Sequence, residues 1–261
     1  MNQAQLITGD TQLLSDLKRL MWAASDAILT VYHKADFGTE IKGDNSPVTE
    51  ADLAAHYVLV DGLAKLTPEI PVVSEEDKTS LDIPKRQTNY WLIDPLDGTK
   101  EFIKRNDEFT CNLALIENGK TTLGFVSVPA QDELFVGGNG IESTRECRLG
   151  EQMGIKHCRP NINITRVVAS KSHLNPETEA FIAAVGEGVE LVQAGSSLKF
   201  LKIATGEADL YPRLAPTCEW DTAAAHAVLE GAGGRVTQAN GDPMIYGKDE
   251  ILNPHFIASA I

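Results

Sequence analysis

The sequence predicts an α/β protein, with helices and strands mixed in its first half and alternating regularly in its second. Three observations carry this. Residues 10–33 place Leu13, Leu14, Leu17, Leu20, Met21, Ala24, Ile28 and Val31 at helical spacing. Short apolar runs at 71–74 and 90–93 have the length of buried strands, and each ends in acidic residues. Beyond about residue 165, RVVAS, PETEAFIAAV, VELVQAG, SLKFLKIATG, ADLYP, DTAAAHAVLEGAGG, RVTQA and FIASA alternate strand-like with helix-like pieces, the pattern of layered α/β architecture.

Taken in order, the first helix is followed by KADFGTEIKGDNSP, whose polar, glycine-containing composition reads as a loop or weak hairpin. Pro47 favours an extended residue before it, and Thr49 can cap a second helix over 50–66. In FTCNLALIENGKTTLGFVSVP, two strand-like runs flank Asn118-Gly119, a strong hairpin signal. Residues 139–163 are rich in Gly, Arg and Glu and lack periodicity, so the seam falls near their end and divides the chain into 1–165 and 166–261. No internal repeat or low-complexity tract is present.

Of the 261 residues, 43% are hydrophobic and 23% charged, the balance of a chain able to bury a core, which excludes disordered, collagen-like and disulfide-scaffold classes. Lys and Arg number 23 against 37 Asp and Glu, a net charge of −14. That sign argues against a broad nucleic-acid face and against polybasic docking to anionic lipid. The N-terminus lacks the basic and apolar regions of a secretory signal, and no run approaches the ~18 apolar residues of a membrane helix. Cys111, Cys147, Cys158 and Cys218 form no C-x-x-C pair and read as reduced thiols of a cytoplasmic protein.

Carboxylates gather where strands and helices begin or end. They are Glu75 and Glu76 in VVSEED, Asp94 and Asp97 in WLIDPLDGT, Asp221 in EWDTAAAHAV, and Asp52 in VTEAD. Each has a structural reading: Asp221 as an N-cap, Asp52 as partner of Thr49 in a capping box, Asp94-Pro95 and Asp97-Gly98 as turn dipeptides, and 75–77 as a solvated loop. Together they say more. A turn holding Asp94 and Asp97 can aim two carboxylates and a carbonyl at one point, an all-oxygen set that suits Mg²⁺. No Cys/His spacing supports zinc. Gly98-Thr99 then opens KEFIKR, a short helix whose first N–H groups favour a phosphate oxygen. Metal carboxylates beside an anion site point to metal-assisted phosphate chemistry.

WLIDPLDGT with EWDTAAAHAVLEGAGG resembles the two signatures of the inositol monophosphatase superfamily of Mg²⁺-dependent, Li⁺-sensitive phosphatases, and NSPVTEAD and SEED fall in order upstream. DGTKEFIKRNDEFTCNLALIENG, GSSLKFLKIATGEADLYPR and ILNPHF resemble its bacterial 3′(2′),5′-bisphosphate nucleotidases, over nearly the whole chain. The resemblance implies a layered α-β-α-β-α sandwich of the inositol monophosphatase and fructose-1,6-bisphosphatase type, with an α+β N-terminal half, an α/β C-terminal half and two or three Mg²⁺ between them. Glu75, Asp94 and the Leu96 carbonyl would bind one ion. Asp94, Asp97 and Asp221 would bind the second, and a third would touch Glu75, with Glu76 helping through water. Thr99, hydrogen-bonded to Asp52, would orient and deprotonate the attacking water, which draws Asp52 away from capping.

Substrate choice turns on cations. LYPRLAPTCEWD places Arg213 where inositol monophosphatases usually offer a carboxylate, and arginine suits a second phosphate. Lys199 lies next to the Gly195-Ser-Ser turn. In related nucleotidases the positions of His173, Gly195 and Lys199 contact the nucleotide, and the residues from Leu96 through Gly98 to Thr99, with Glu75 and Asp221, frame the scissile phosphate. Tyr211 reads as a half-buried strand residue that could pack beside adenine. Taken alone, Lys199 and Arg213 could equally be surface charges and His173 a loop residue. The expected reaction is removal of the 3′-phosphate of adenosine 3′,5′-bisphosphate, with 3′-phosphoadenylyl sulfate as a second substrate and a place in sulfur metabolism. The alternatives are an inositol or sugar phosphatase and a catalytically silent phosphate-binding protein. Bacterial relatives also raise a peripheral association with the inner face of the inner membrane.

Overall fold

The computed structural model describes residues 2–41, 47–83, 88–150, 152–155, 160, 164–169 and 175–260. Two helices pack against one face of a seven-stranded sheet. A short helix α1 (Gln3–Gly9) leads to α2 (Thr11–Tyr32), whose N-cap Asp10 accepts from the N–H groups of Gln12 and Leu13, each at 3.0 Å. The predicted stripe is the buried one: Leu17, Met21, Ala24, Ile28 and Val31 face inward. After a minimal hairpin of β1 (Glu40–Ile41) and β2 (Pro47–Val48), α3 (Glu50–Leu66) begins at Thr49 in a complete capping box with Asp52.

The sheet runs β3-β4-β5-β6-β7-β8-β9, from β3 (Val72–Ser74), β4 (Tyr90–Asp97), β5 (Thr110–Glu117), β6 (Lys120–Val128) and β7 (Glu133–Gly138) to β8 (Ile141–Cys147) and β9 (Gln152–Gly154). Only β3 and β4 pair in parallel. The β5–β6 hairpin turns at Asn118 and Gly119 with φ of 52° and 75°, the two positive values a type I′ turn requires. The segment after residue 139, for all its lack of periodicity, supplies β8 and the edge strand β9; β8 is mostly half-buried and β9 exposed, so neither carries an apolar alternation to read. One expectation is corrected here: Asp94-Pro95 is not a turn. The strand β4 runs through it to Asp97, and its register against β5 shifts between those two aspartates.

A second sheet has the order β11-β10-β12-β14-β13 and begins at Thr165. It is formed by β10 (Thr165–Ala169), β11 (Val189–Gln193), β12 (Leu210–Arg213), β13 (Arg235–Gln238) and β14 (Phe256–Ser259), with α5 (Pro176–Val185) after β10. Between the sheets lie α6 (Leu198–Ala204) and α7 (Ala223–Gly231), which complete the α-β-α-β-α layering. The alanines of α7 let it approach β6 very closely. A Cβ on Gly124 would stand 2.1 Å from the Ala224 carbonyl oxygen, so only glycine fits there. Thr121 donates to the same helix at Ala223 (2.8 Å) and Ser143 at Val228 (2.6 Å).

Each face of the first sheet owns a core. Trp91, Ile93, Leu113, Leu115 and Phe125 join α2 and α3, while Tyr90, Leu92, Ala114, Ile116 and Val126 join α6, α7 and the second sheet. No helix among the described residues is long and apolar enough to cross a membrane. Cys111, Cys147 and Cys218 are free thiols; Cys158 lies outside the described residues.

Candidate active site

The strand β4 carries the centre of the site. Pairing sets Tyr90, Leu92 and Asp94 on one face, and the register shift that follows turns Asp97 back toward the same cleft. Asp94 is buried, 1% exposed, with Oδ1 accepting the Leu96 N–H at 3.1 Å and Oδ2 without a hydrogen-bond donor among the described residues. Glu75 enters from the end of β3, its N–H bonded to the Ile93 carbonyl at 3.2 Å. Asp221 enters from the turn before α7. One oxygen from each of Glu75, Asp94 and Asp221 lies within 4.8 Å of the others.

Such crowding disfavours the ionised carboxylates. Burial and the Glu75, Asp97 and Asp221 carboxylates push the Asp94 carboxyl well above the ordinary range. Burial, then Asp97 and Glu75, raise Asp221 to about 8. Burial also raises Asp97, opposed by Lys199 and by the Ser196 hydroxyl that donates to its Oδ2 at 2.7 Å. A divalent cation removes this penalty. The donor set is all oxygen and negative, and it includes a buried oxygen with no donor, so it fits Mg²⁺. Asp97 stands beside the trio rather than within it, and Glu76 belongs neither to the trio nor to the lining of the cleft.

Gly98 follows with φ of 91°, and a Cβ there would press on the Glu108 carbonyl (3.1 Å) and the Ser196 Cβ (3.2 Å). It starts α4 (Thr99–Ile103), a helix of five residues, shorter than KEFIKR predicts. Thr99 Oγ1 donates to Asp52 Oδ1 at 3.2 Å and also approaches the Leu96 carbonyl at 3.3 Å. Asp52 does not abandon capping for this: its Oδ2 accepts from the Thr49 N–H and hydroxyl, each at 2.7 Å, so each carboxylate oxygen has its own task. Asp221 is not the N-cap of α7. Thr222 holds that position, and the Asp221 Oδ2 closes a turn on the Cys218 N–H at 2.7 Å.

Cations line the opposite wall. The cleft has a volume of about 480 Å³ and is lined by Glu75, Asp97, Gly98, Thr99, Gly195, Ser196, Lys199, Tyr211, Arg213 and Asp221, among others. Lys199 is buried, with Nζ donating to the Ser196 carbonyl at 2.9 Å and lying 5.6 Å from the Tyr211 ring centre. Burial lowers its pKa, and Asp97 partly restores it. Arg213 donates from Nη2 to the Pro216 carbonyl at 2.8 Å, while its Nε is buried without a partner among the described residues. Tyr211 is buried, not half-buried, edge-on to Phe200 and Phe256. His173 lies outside the described residues.

Two participants escaped the sequence reading. Ser196 holds Asp97 through its hydroxyl and Lys199 through its carbonyl, from a left-handed backbone (φ 49°) that a Gly-Ser-Ser string does not announce. Glu219, two residues before Asp221, is fully buried, and its only signal was an acidic residue inside an otherwise apolar stretch.

The inositol monophosphatase family model matches residues 10–260. An Escherichia coli O157:H7 protein named 3′(2′),5′-bisphosphate nucleotidase CysQ is 45% identical over 249 residues, covering 95% of this chain and 99% of that one. Its Salmonella typhimurium namesake is 44% identical over 246 residues, covering 94% and 98%. Among solved structures, CysQ from Bacteroides thetaiotaomicron, described as a bacterial member of the inositol monophosphatase family, superposes with a TM-score of 0.84 at 38% identity and covers 96% of this chain and 97% of its own.

Proposed function

The chain belongs to the inositol monophosphatase family as a 3′(2′),5′-bisphosphate nucleotidase, and on that premise we propose that it removes the 3′-phosphate of adenosine 3′,5′-bisphosphate, giving AMP and phosphate. One observation carries the reading: a carboxylate cluster and two buried or half-buried cations share one cleft. Glu75, Asp94, the Leu96 carbonyl, Asp97 and Asp221 would hold Mg²⁺. When bound, the ions lower the pKa of a water and neutralise charge on the transferred phosphoryl group.

The protein's own residues do the rest. Thr99 Oγ1 orients the attacking water and takes its proton, passing its own toward Asp52 Oδ1 along the 3.2 Å hydrogen bond. The capping hydrogen bonds on Asp52 Oδ2 hold that carboxylate in place to receive it. Lys199 and Arg213 bind the 5′-phosphate, with the unpartnered Arg213 Nε as a donor in waiting. A protein of charge −14 needs such local cations to admit a polyanion. The side-chain set also admits 3′-phosphoadenylyl sulfate, whose sulfate replaces nothing that Lys199 and Arg213 recognise. The free thiols fit work in the cytoplasm, on a by-product of sulfate transfer.

The test is phosphate release from adenosine 3′,5′-bisphosphate, inositol 1-phosphate and fructose 1,6-bisphosphate, with Mg²⁺ and then with added Li⁺. Li⁺-sensitive preference for the nucleotide supports the reading. Preference for inositol phosphate would keep the metal site and discard the role of Lys199 and Arg213. No turnover of any ester would leave a phosphate-binding protein.

A further inference from the structure

Glu219 presents a physical puzzle: a carboxylate with no exposed surface, two residues before Asp221 and outside the lining of the cleft. Its side chain accepts from the backbone N–H groups of Gly247 (2.8 Å) and Lys248 (3.2 Å) and forms an ion pair with Lys248 Nζ, which also donates to the Ile245 carbonyl at 3.1 Å. Its main chain is held as firmly. The Glu219 N–H donates to the Ile251 carbonyl (2.9 Å), and the Glu219 carbonyl accepts from Thr222 N–H (3.2 Å), Ala223 N–H (3.0 Å) and the Thr222 hydroxyl (3.1 Å). Asp221 sits inside the turn that these bonds close.

The segment 245–253 therefore lies along the Asp221 turn as a strap. Cys218 pairs with Leu252 in an isolated bridge, Asn253 N–H donates to the Thr217 carbonyl (2.9 Å), and Asn253 Nδ2 donates to the Cys218 carbonyl at 2.7 Å. An apolar pair of similar volume would stabilise such a location at least as well, because a buried ion pair loses its hydration. What charge and hydrogen bonds add is a single geometry, and the group held in that geometry is Asp221.

We propose that Glu219 and Lys248 are positioning residues which fix the Asp221 carboxylate for cation binding by tying its turn to the 245–253 strap. The proposal rests on the metal-dependent reading above. It predicts that damage to the pair appears in metal affinity before it appears in chemistry. Mg²⁺ binding is measured by calorimetry on the full chain without substrate, for the wild type, Glu219→Gln, Lys248→Met and the double variant, alongside thermal unfolding and phosphate release against Mg²⁺ concentration. Each single variant is expected to weaken Mg²⁺ binding on the order of 10-fold to 100-fold, with turnover recovering at high Mg²⁺. Lys248→Arg is expected to retain most of the affinity. Should Glu219→Gln fail to fold, Lys248→Met carries the test, since that side chain is partly exposed. Unchanged Mg²⁺ affinity with a lowered unfolding temperature would overturn the proposal and leave the pair holding only the fold. No Mg²⁺ binding by the wild type would overturn the metal-dependent reading itself, which the calorimetry separates from failure of the pair.

Discussion

On the acidic wall of the cleft, Asp94 and Asp97 stand on β4, a strand buried on both faces of a seven-stranded sheet; on the basic wall, Lys199 and Arg213 stand on α6 and at the end of β12. The first wall is internally repulsive, because burial and mutual charge favour proton uptake at Asp94 and Asp221. The second is held by single hydrogen bonds to the main-chain carbonyls of Ser196 and Pro216. Ser196 joins the two. The difference teaches a division of labour: the acidic wall needs a cation to be stable in its ionised form, whereas the basic wall is already held by the protein's own carbonyls.

Breaking the acidic wall should have the largest effect. Asp94→Asn removes charge from the most buried member and should lower kcat on the order of 10³-fold, read as phosphate release at saturating Mg²⁺. Turnover near that of the wild type would show that Asp94 is dispensable to the cluster. Thr99→Val keeps the shape but loses the bond to Asp52, and about a 10²-fold fall in kcat is expected with Mg²⁺ affinity little changed. If both quantities fall together, Thr99 belongs with the metal donors instead.

The basic wall should respond in KM. Arg213→Ala is expected to raise KM for adenosine 3′,5′-bisphosphate by about tenfold, and that for a simple monoester far less, since one charge-assisted contact is lost. Equal effects on both substrates would move Arg213 out of the specificity argument.

The smallest effect sharpens the contrast through pH. In the metal-free protein the Asp221 pKa of about 8 stands above the ordinary aspartate value of 3.8, so between those values the folded state holds a proton that the unfolded state lacks. Stability therefore falls as pH rises through that window. Mg²⁺ takes the proton's place, so its stabilising effect should grow with pH. Scanning calorimetry with EDTA and with Mg²⁺, at about pH 5.5 and about 8.5, should show a Mg²⁺-induced rise in Tm that is larger by a few degrees at the higher pH. An equal rise at both would separate Asp221 from the cation.

Wherever a signal depends on neighbours along the chain, the sequence was sufficient. Thr49 starts a helix by bonding to the N–H two residues away, and Asn118-Gly119 makes its turn from its own φ preferences. The spacing of Asp94 and Asp97 already implied a shared target. What the sequence left open is what depends on residues distant in the chain. The continuation of β4 through Pro95 is decided by its pairing with β5, which outweighs the turn preference of Asp-Pro. β8 and β9 exist because β7 offers an edge to pair with, not because their own pattern demands a strand. The split duty of Asp52 requires Thr99 to arrive from 47 positions away. The Glu219–Lys248 pair needs a strap that returns from 29 positions beyond. Local propensity determined the elements and the chemistry they carry. Only the packing of two sheets around α6 and α7 brought Glu75, Asp94 and Asp221 within one ion's reach, and set Lys199 and Arg213 across from them, because a carboxylate cluster forms only where tertiary contacts outweigh its repulsion.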